Sequence, residues 1–167
     1  MKWVTRQYVH VDRTACPWLI KKFVDPEAEF IFVPVEKIDE VEKNEGAIPF
    51  DAPNVELGHH GDKCSFDAII KKYQIEDPAV LGLAKIVRAA DTGAPEDAPE
   101  AFGLDAVMTG FSIVARDDHE AIAKASQAYD AFYASCKLKL VQEKYKNELG
   151  KMDRPQRREF LRKKLTE

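Results

Sequence analysis

Val9-His10-Val11-Asp12-Arg13-Thr14-Ala15-Cys16-Pro17-Trp18-Leu19-Ile20 opens on alternating residues, as a strand does. It then passes through three polar residues, Asp12, Arg13 and Thr14, into a helical run. Thr14 or Asp12 reads as the N-cap, and Pro17 falls in the first turn, where a missing N–H costs nothing. Trp18, Leu19, Ile20 and Phe23 give the helix its apolar side. A strand that runs into a helix N-terminus gathers unpaired N–H groups and positive dipole at one point. Arg13 and Cys16 add a guanidinium and a thiol there, and a thiol at a helix start tends toward a lowered pKa. The junction suits an anion, a metal-bound anion or a reactive thiolate. The plainer reading is an ordinary first β–α unit, with Arg13 a surface charge and Cys16 a small core residue.

Working outward, residues 3–5 and 7–11 read as strand and residues 15–24 as the first helix, stopped by Asp25-Pro26. Glu29-Phe30-Ile31-Phe32-Val33 is a second strand ending at Pro34. Residues 35–44 fit a short helix with Ile38 and Val41 as its apolar pair and Gly46 as its stop. Residues 47–63 are polar and punctuated by Pro49, Pro53, Gly58 and Gly61, the composition of a functional loop. Ser65 caps a helix with Asp67 in its first turn. Asp77-Pro78 opens another that places Val80, Ala84 and Val87 on one face and ends at Arg88 and Asp91. Residues 92–100 read as a loop and 101–115 as helix. Asp117 and Glu120 form a capping-box pattern for a long amphipathic helix carrying Ile122, Ala125, Tyr129, Phe132, Tyr133, Cys136 and Leu140. Asp153, Pro155 and Gln156 start a last short helix. The whole reads as α+β, a small N-terminal sheet covered by helices with a long amphipathic helix toward the C-terminus. Residues 1–150 form the domain, and 151–167 a basic helix packed on it or extending it.

With 167 residues the chain suffices for one full core. It has no apolar run long enough to span a membrane and no signal-peptide core, so a cytoplasmic protein is expected. Cys16, Cys64 and Cys136 cannot all pair within one chain and lack C-x-x-C spacing, so neither a disulfide framework nor a zinc knuckle is indicated. The net charge of −4 divides unevenly: residues 137–167 hold 11 Lys/Arg against 5 Asp/Glu, and the remainder 14 against 24. No aromatic residues interleave the basic ones in a stacking pattern, so the basic end reads as a solvated face rather than a nucleic-acid reader.

Chemistry concentrates in the 47–63 loop. In an extended segment Glu56, Gly58 and His60 share one side and His59 points away. Glu56 and His60 from this loop, with Asp91 from a helix end, would make a mixed N/O site for Zn²⁺, Mn²⁺ or Fe²⁺. A polar loop and a helix-end charge are the plain alternative. No Gly-rich phosphate loop is present, so no nucleotide cofactor is indicated, and no G-x-S-x-G elbow either.

Thr5-Arg6, Val11-Asp12-Arg13, Cys16-Pro17-Trp18-Leu19-Ile20, Asp25-Pro26, Pro49-Phe50-Asp51, His60-Gly61-Asp62-Lys63-Cys64-Ser65-Phe66, Ile86-Val87-Arg88-Ala89-Ala90-Asp91 and Ala98-Pro99-Glu100-Ala101 together resemble the chromate resistance protein B family. The likeness is to that family's C-terminal domain and covers roughly the first 135 residues. It implies a role in chromate resistance, with chromate or another small oxyanion as partner. A tetrahedral dianion needs guanidiniums, N–H groups or a metal, and Arg6, Arg13 and Arg88 fall in the matching motifs. Cys16 and Cys64 would be the catalytic thiols if chromate is reduced. Longer members carry a preceding DNA-binding segment and act as regulators. This chain starts at the shared domain, so sequence-specific DNA binding is not expected of it. The resemblance leaves open whether the chain is an enzyme and whether it forms an oligomer. A metal-dependent enzyme with an unrelated substrate, or a non-catalytic interaction module, are the competing readings.

Overall fold

Trp3, Val4 and Thr5 are buried in succession, the signature of a strand covered on both faces. In the computed structural model, which describes residues 1–94 and 98–166, they form the centre of β1 (Lys2–Arg6). β2 (Glu29–Val33) and β3 (Ile48–Pro49) pair with β1 in parallel on either side, in the order β2-β1-β3. Trp3 lies opposite Phe30 and Ile48, and Val4 opposite Ile31 and Pro49. Trp3 and Phe30 face the main core with α1 (Val11–Phe23), α3 (Ser65–Lys72) and α4 (Pro78–Asp91). Val4 faces a smaller cluster with Ile38, Ala47 and Ala52, roofed by α2 (Ile38–Glu45). The α+β architecture expected from the sequence is therefore the one adopted, and helices dominate it.

The start of α1 departs from expectation. Residues 7–10 are not strand. Tyr8 has a φ of 61°, and the Asp118 carboxylate accepts the N–H groups of Tyr8 and Val9 at 3.0 and 2.9 Å, so these groups have no strand to pair with. Helix begins at Val11, with His10 as N-cap and no side-chain cap. Asp12 and Thr14 lie inside the helix, where Thr14 Oγ1 donates to the Val11 carbonyl at 2.8 Å. Pro17 accordingly sits beyond the first turn and removes the hydrogen bond its N–H would have given Arg13. The almost unbroken burial of residues 11–20, Arg13 excepted, offsets that loss. β3 was unforeseen because two residues carry no periodicity. Cys64 rather than Ser65 caps α3, with Asp67 returning a bond to the Cys64 N–H at 3.2 Å.

Asp77 caps α4 as expected, accepting from the Ala79 and Val80 N–H groups. The loop at 92–100 follows, and its Pro95 lies outside the described residues. α5 (Glu100–Val114) and α6 (Asp118–Lys144) pack on α1 and α4, with Ala121, Ala125, Tyr129, Tyr133 and Cys136 as the buried stripe of α6. Tyr129 reaches α1, donating to the Val11 carbonyl at 2.9 Å and touching Thr14 Oγ1 at 2.8 Å. Leu140 is exposed, so the amphipathic stripe ends earlier than its spacing suggests. A short turn, α7 (Lys146–Leu149), leads to α8 (Arg154–Thr166), opened by the reciprocal bonds of Asp153 and Gln156. α8 folds back on α6 through Phe160 against Tyr145, ring centroids 5.3 Å apart.

Candidate metal centre

β1 is flanked by β2, reached through α1, and by β3, reached through α2. Its C-terminal end is thus a switch point, where parallel sheets leave a crevice for ligands. Arg6 ends β1, Asp51 follows β3, and Asp12 lies in the first turn of α1, so all three meet at that crevice. Asp51 is buried with a φ of 44°, a strained conformation for a residue with a Cβ. Its surroundings hold it there. Arg6 Nε donates to its carbonyl at 2.9 Å, and Arg6 Nη2 and Arg13 Nη1 donate to its Oδ2 at 3.1 and 2.8 Å. Ser65 Oγ donates to its Oδ1 at 3.1 Å. Asp12, also buried, accepts the N–H groups of Ser65 and Phe66 at 2.7 and 3.1 Å. A carboxylate from α1 therefore answers the unpaired donors and dipole at the start of α3.

His59 closes the crevice. Its Nε2 lies 3.4 Å from Asp12 Oδ2, 3.3 Å from Asp51 Oδ1 and 3.3 Å from Asp91 Oδ2. Among the described residues, Asp12, His59 and Asp91 form a group whose possible ligand atoms all lie within 4.8 Å of one another. The electrostatics follow from this crowding. Contact with Asp12, reinforced by the charges of Asp91 and Asp51, pushes the His59 imidazole up to about 9. Burial, together with the negative charge of Asp12, pushes Asp91 up to about 6. Carboxylates this close repel one another, and a cation between them relieves that repulsion.

The sequence had grouped Glu56, His60 and Asp91. Only Asp91 reaches the centre. Glu56 pairs with Lys72, and His60 Nε2 lies 2.8 Å from the Glu56 carbonyl. The alternation assumed for this segment does separate the two histidines, but the inward side belongs to Leu57 and His59. Leu57 is buried and bridges to Phe50, and His60 turns outward into a bridge with Lys63. The apolar Leu57 was the available signal for which side faces in. Asp12 and Asp51 were also missed as site residues. Nothing in their local sequence marks them as buried, although both fall in the matching motifs.

The three arginines do not present free guanidiniums. Arg6 and Arg13 neutralise Asp51, and Arg13 Nη2 also donates to the Tyr8 carbonyl at 3.1 Å. Arg88 pairs with Asp67 at 2.8 Å and so braces the start of α3, not Asp91. Arg13 Nε is buried with no hydrogen-bond partner. The cysteines are all free thiols. Cys16 lies in the second turn of α1, not at a helix start, with Sγ 3.5 Å from Asp12 Oδ1. Burial and that carboxylate push its thiol pKa well above the ordinary range. Burial likewise raises Cys64, and Asp12 adds to the shift. Both positions favour the protonated thiol, the opposite of a reactive thiolate.

The described helices include none long and apolar enough to cross a membrane. The family model described as ChrB, C-terminal domain matches residues 3–136, a span that contains every residue of the centre. Among curated proteins the chain is similar to Protein ChrB of Cupriavidus metallidurans (strain CH34), 31% identical over 133 residues. That alignment covers 79% of this chain and 40% of the relative, so the chain spans about two fifths of the length of the curated protein it matches. No solved structure matches it.

Proposed function

The chain belongs to the ChrB C-terminal domain family, and from that premise we propose that it serves chromate resistance in the cytoplasm by binding one divalent cation on Asp12, His59 and Asp91. A small oxyanion, chromate first, is then the ion's further ligand. The observation that carries this reading is the convergence of carboxylates from three separate segments on one imidazole nitrogen at 3.3–3.4 Å. One nitrogen and two carboxylate oxygens suit Zn²⁺, Mn²⁺ or Fe²⁺, and three protein ligands leave coordination positions for an exogenous group.

Charge supports the oxyanion. Three carboxylates against two guanidiniums and one imidazolium leave the metal-free crevice neutral. A divalent cation on a neutral His59 leaves one net positive charge, so an anion is attracted only once the metal is bound. A groove of about 720 Å³ adjoins the centre at Asp51 and His59, and its lining also includes Arg6 and His60. Cys16 and Cys64 take no part, because buried protonated thiols are poor electron donors.

Chelator-stripped protein titrated with Zn²⁺, Mn²⁺ and Fe²⁺ by calorimetry tests the reading. One ion per chain is expected, with His59→Gln weakening binding at least tenfold. Chromate should raise the melting temperature of the metal-loaded protein and not of the stripped one. Absence of stoichiometric binding by all three ions, or equal binding by His59→Gln, refutes it.

A further inference from the structure

We infer that the outer face of α5 is the interface through which a second copy of this chain docks, antiparallel and about a two-fold axis. Leu104 and Met108 anchor α5 to the core, yet Phe102 is 63% exposed, Ile113 75%, Val114 66% and Val107 40%. No other element of the described residues exposes as many large apolar side chains. Exposed apolar residues scattered singly need no explanation, but a contiguous helix face does. The outward row reads Phe102, Gly103, Ala106, Gly110, Ile113 and Val114. A Cβ at Gly103 or Gly110 would meet nothing within 4 Å, so both glycines are open hollows in that face.

The occupant follows from how the face fits itself. With the two-fold axis midway between Ala106 and Gly110, Ala106 lies level with Gly110 of the second copy. Ile113 then lies level with the hollow at Gly103, and Phe102 with Val114. Ile113 of each copy thus fills the hollow at Gly103 of the other, the small residues at the axis let the two helices approach closely, and Phe102 meets Val114 at each end of the row. The one carboxylate on the flank, Asp105, falls level with Phe111 of the second copy, between Thr109 and Ser112, and not with its own counterpart. Asp105 is also 3.5 Å from His10 Nε2 of its own chain. A closed two-fold arrangement buries the same patch on both copies and leaves nothing to propagate.

Size sets the strength. From their exposures the four large side chains offer on the order of 500 Å² per copy, the scale of the largest patch on a monomer. Two copies bury about 1,000 Å², the lower bound for a specific interface. A patch at that lower bound suits a weak, reversible dimer.

Sedimentation equilibrium of the full chain between about 1 and 200 μM should show monomer and dimer in exchange. Ile113→Glu should weaken dimerisation at least tenfold while its circular dichroism and melting, compared at a concentration where sedimentation shows both proteins as monomers, stay unchanged. Ala106→Cys should be joined to its counterpart by a short bis-maleimide, and Leu140→Cys, exposed on α6, should not. The three native thiols are buried and give little background. A monomer at every concentration, a dimer that Ile113→Glu leaves intact, or equal cross-linking of the two cysteine variants overturns the proposal. A complex formed only with another protein would show as the first of these.

Discussion

Asp91→Asn should make the metal-free protein more stable while removing its capacity to hold a metal. The Asp91 carboxyl is pushed up to about 6 by burial and by Asp12. In the unfolded chain it returns to about 3.8. A folded-state pKa above the unfolded one gives stability that is complete below pH 3.8 and lost as pH rises through 6. At pH 7.5 that loss amounts to about 2–3 kcal/mol, at about 1.4 kcal/mol per pKa unit. Asparagine keeps the shape and cannot ionise, so most of the loss is recovered. For a chain of this size the gain is about 4–10 °C in melting temperature. Calorimetric melts of chelator-stripped wild type and variant at pH 7.5 and pH 5 read it directly, and the difference should shrink toward pH 5. Added metal should raise the wild-type melting point and leave the variant unmoved. A variant that melts below the wild type without metal, yet keeps the metal-induced rise, would show that Asp91 is a structural charge and not a ligand.

Three further outcomes are expected. Because His59 without metal is held protonated up to about pH 9, binding of a divalent ion at pH 7.5 should release close to one proton, measurable by calorimetry in buffers of different ionisation enthalpy. No release would place the ion elsewhere. Arg13→Lys keeps a charge near Asp51 but loses the fork that also holds the Tyr8 carbonyl. It should cost about 1–3 kcal/mol in urea unfolding, because buried groups are left without partners, and leave metal affinity within a few-fold of wild type. With their pKa values raised, Cys16 and Cys64 should resist a thiol-specific reagent at pH 8 in the native protein and react once it is unfolded. Rapid native labelling would return them to the candidate chemistry.

The helices that announced themselves in sequence did so through caps and periodicity. Asp77-Pro78, Asp153 with Gln156, Gly46 and the Tyr129–Tyr133–Cys136 stripe are local signals, and the fold uses each where it was read. What failed was decided at long range. Strand character at Val9 and Val11 is a fair local reading, but Asp118, more than a hundred residues away, claims the N–H groups that a strand would have paired. The centre was half legible for the same reason. Asp91 and the 47–63 loop stand out by their context. Asp12 and Asp51 become ligand-like only because β1, β3 and α3 bring them together, and His59 was discarded by taking the wrong side of an alternating segment as the inner one.

The clasp between Asp118 and the Tyr8–Val9 backbone, with Tyr129 on the Val11 carbonyl, also fixes when the centre can exist. Asp12, His59 and Asp91 are all synthesised within the first 91 residues. The turn that aims Asp12 is nonetheless secured by residues 118 and 129. At about 5–20 residues per second, the ribosome needs roughly 2–8 s more to pass from Asp91 to Tyr129. During that interval all three residues have been made, and the contacts of Asp118 and Tyr129 that secure the turn before Asp12 have not. On the proposed reading, metal capture would be a late event of biosynthesis, and a nascent chain arrested before α6 emerges would carry Asp12, His59 and Asp91 without the clasp that aims Asp12.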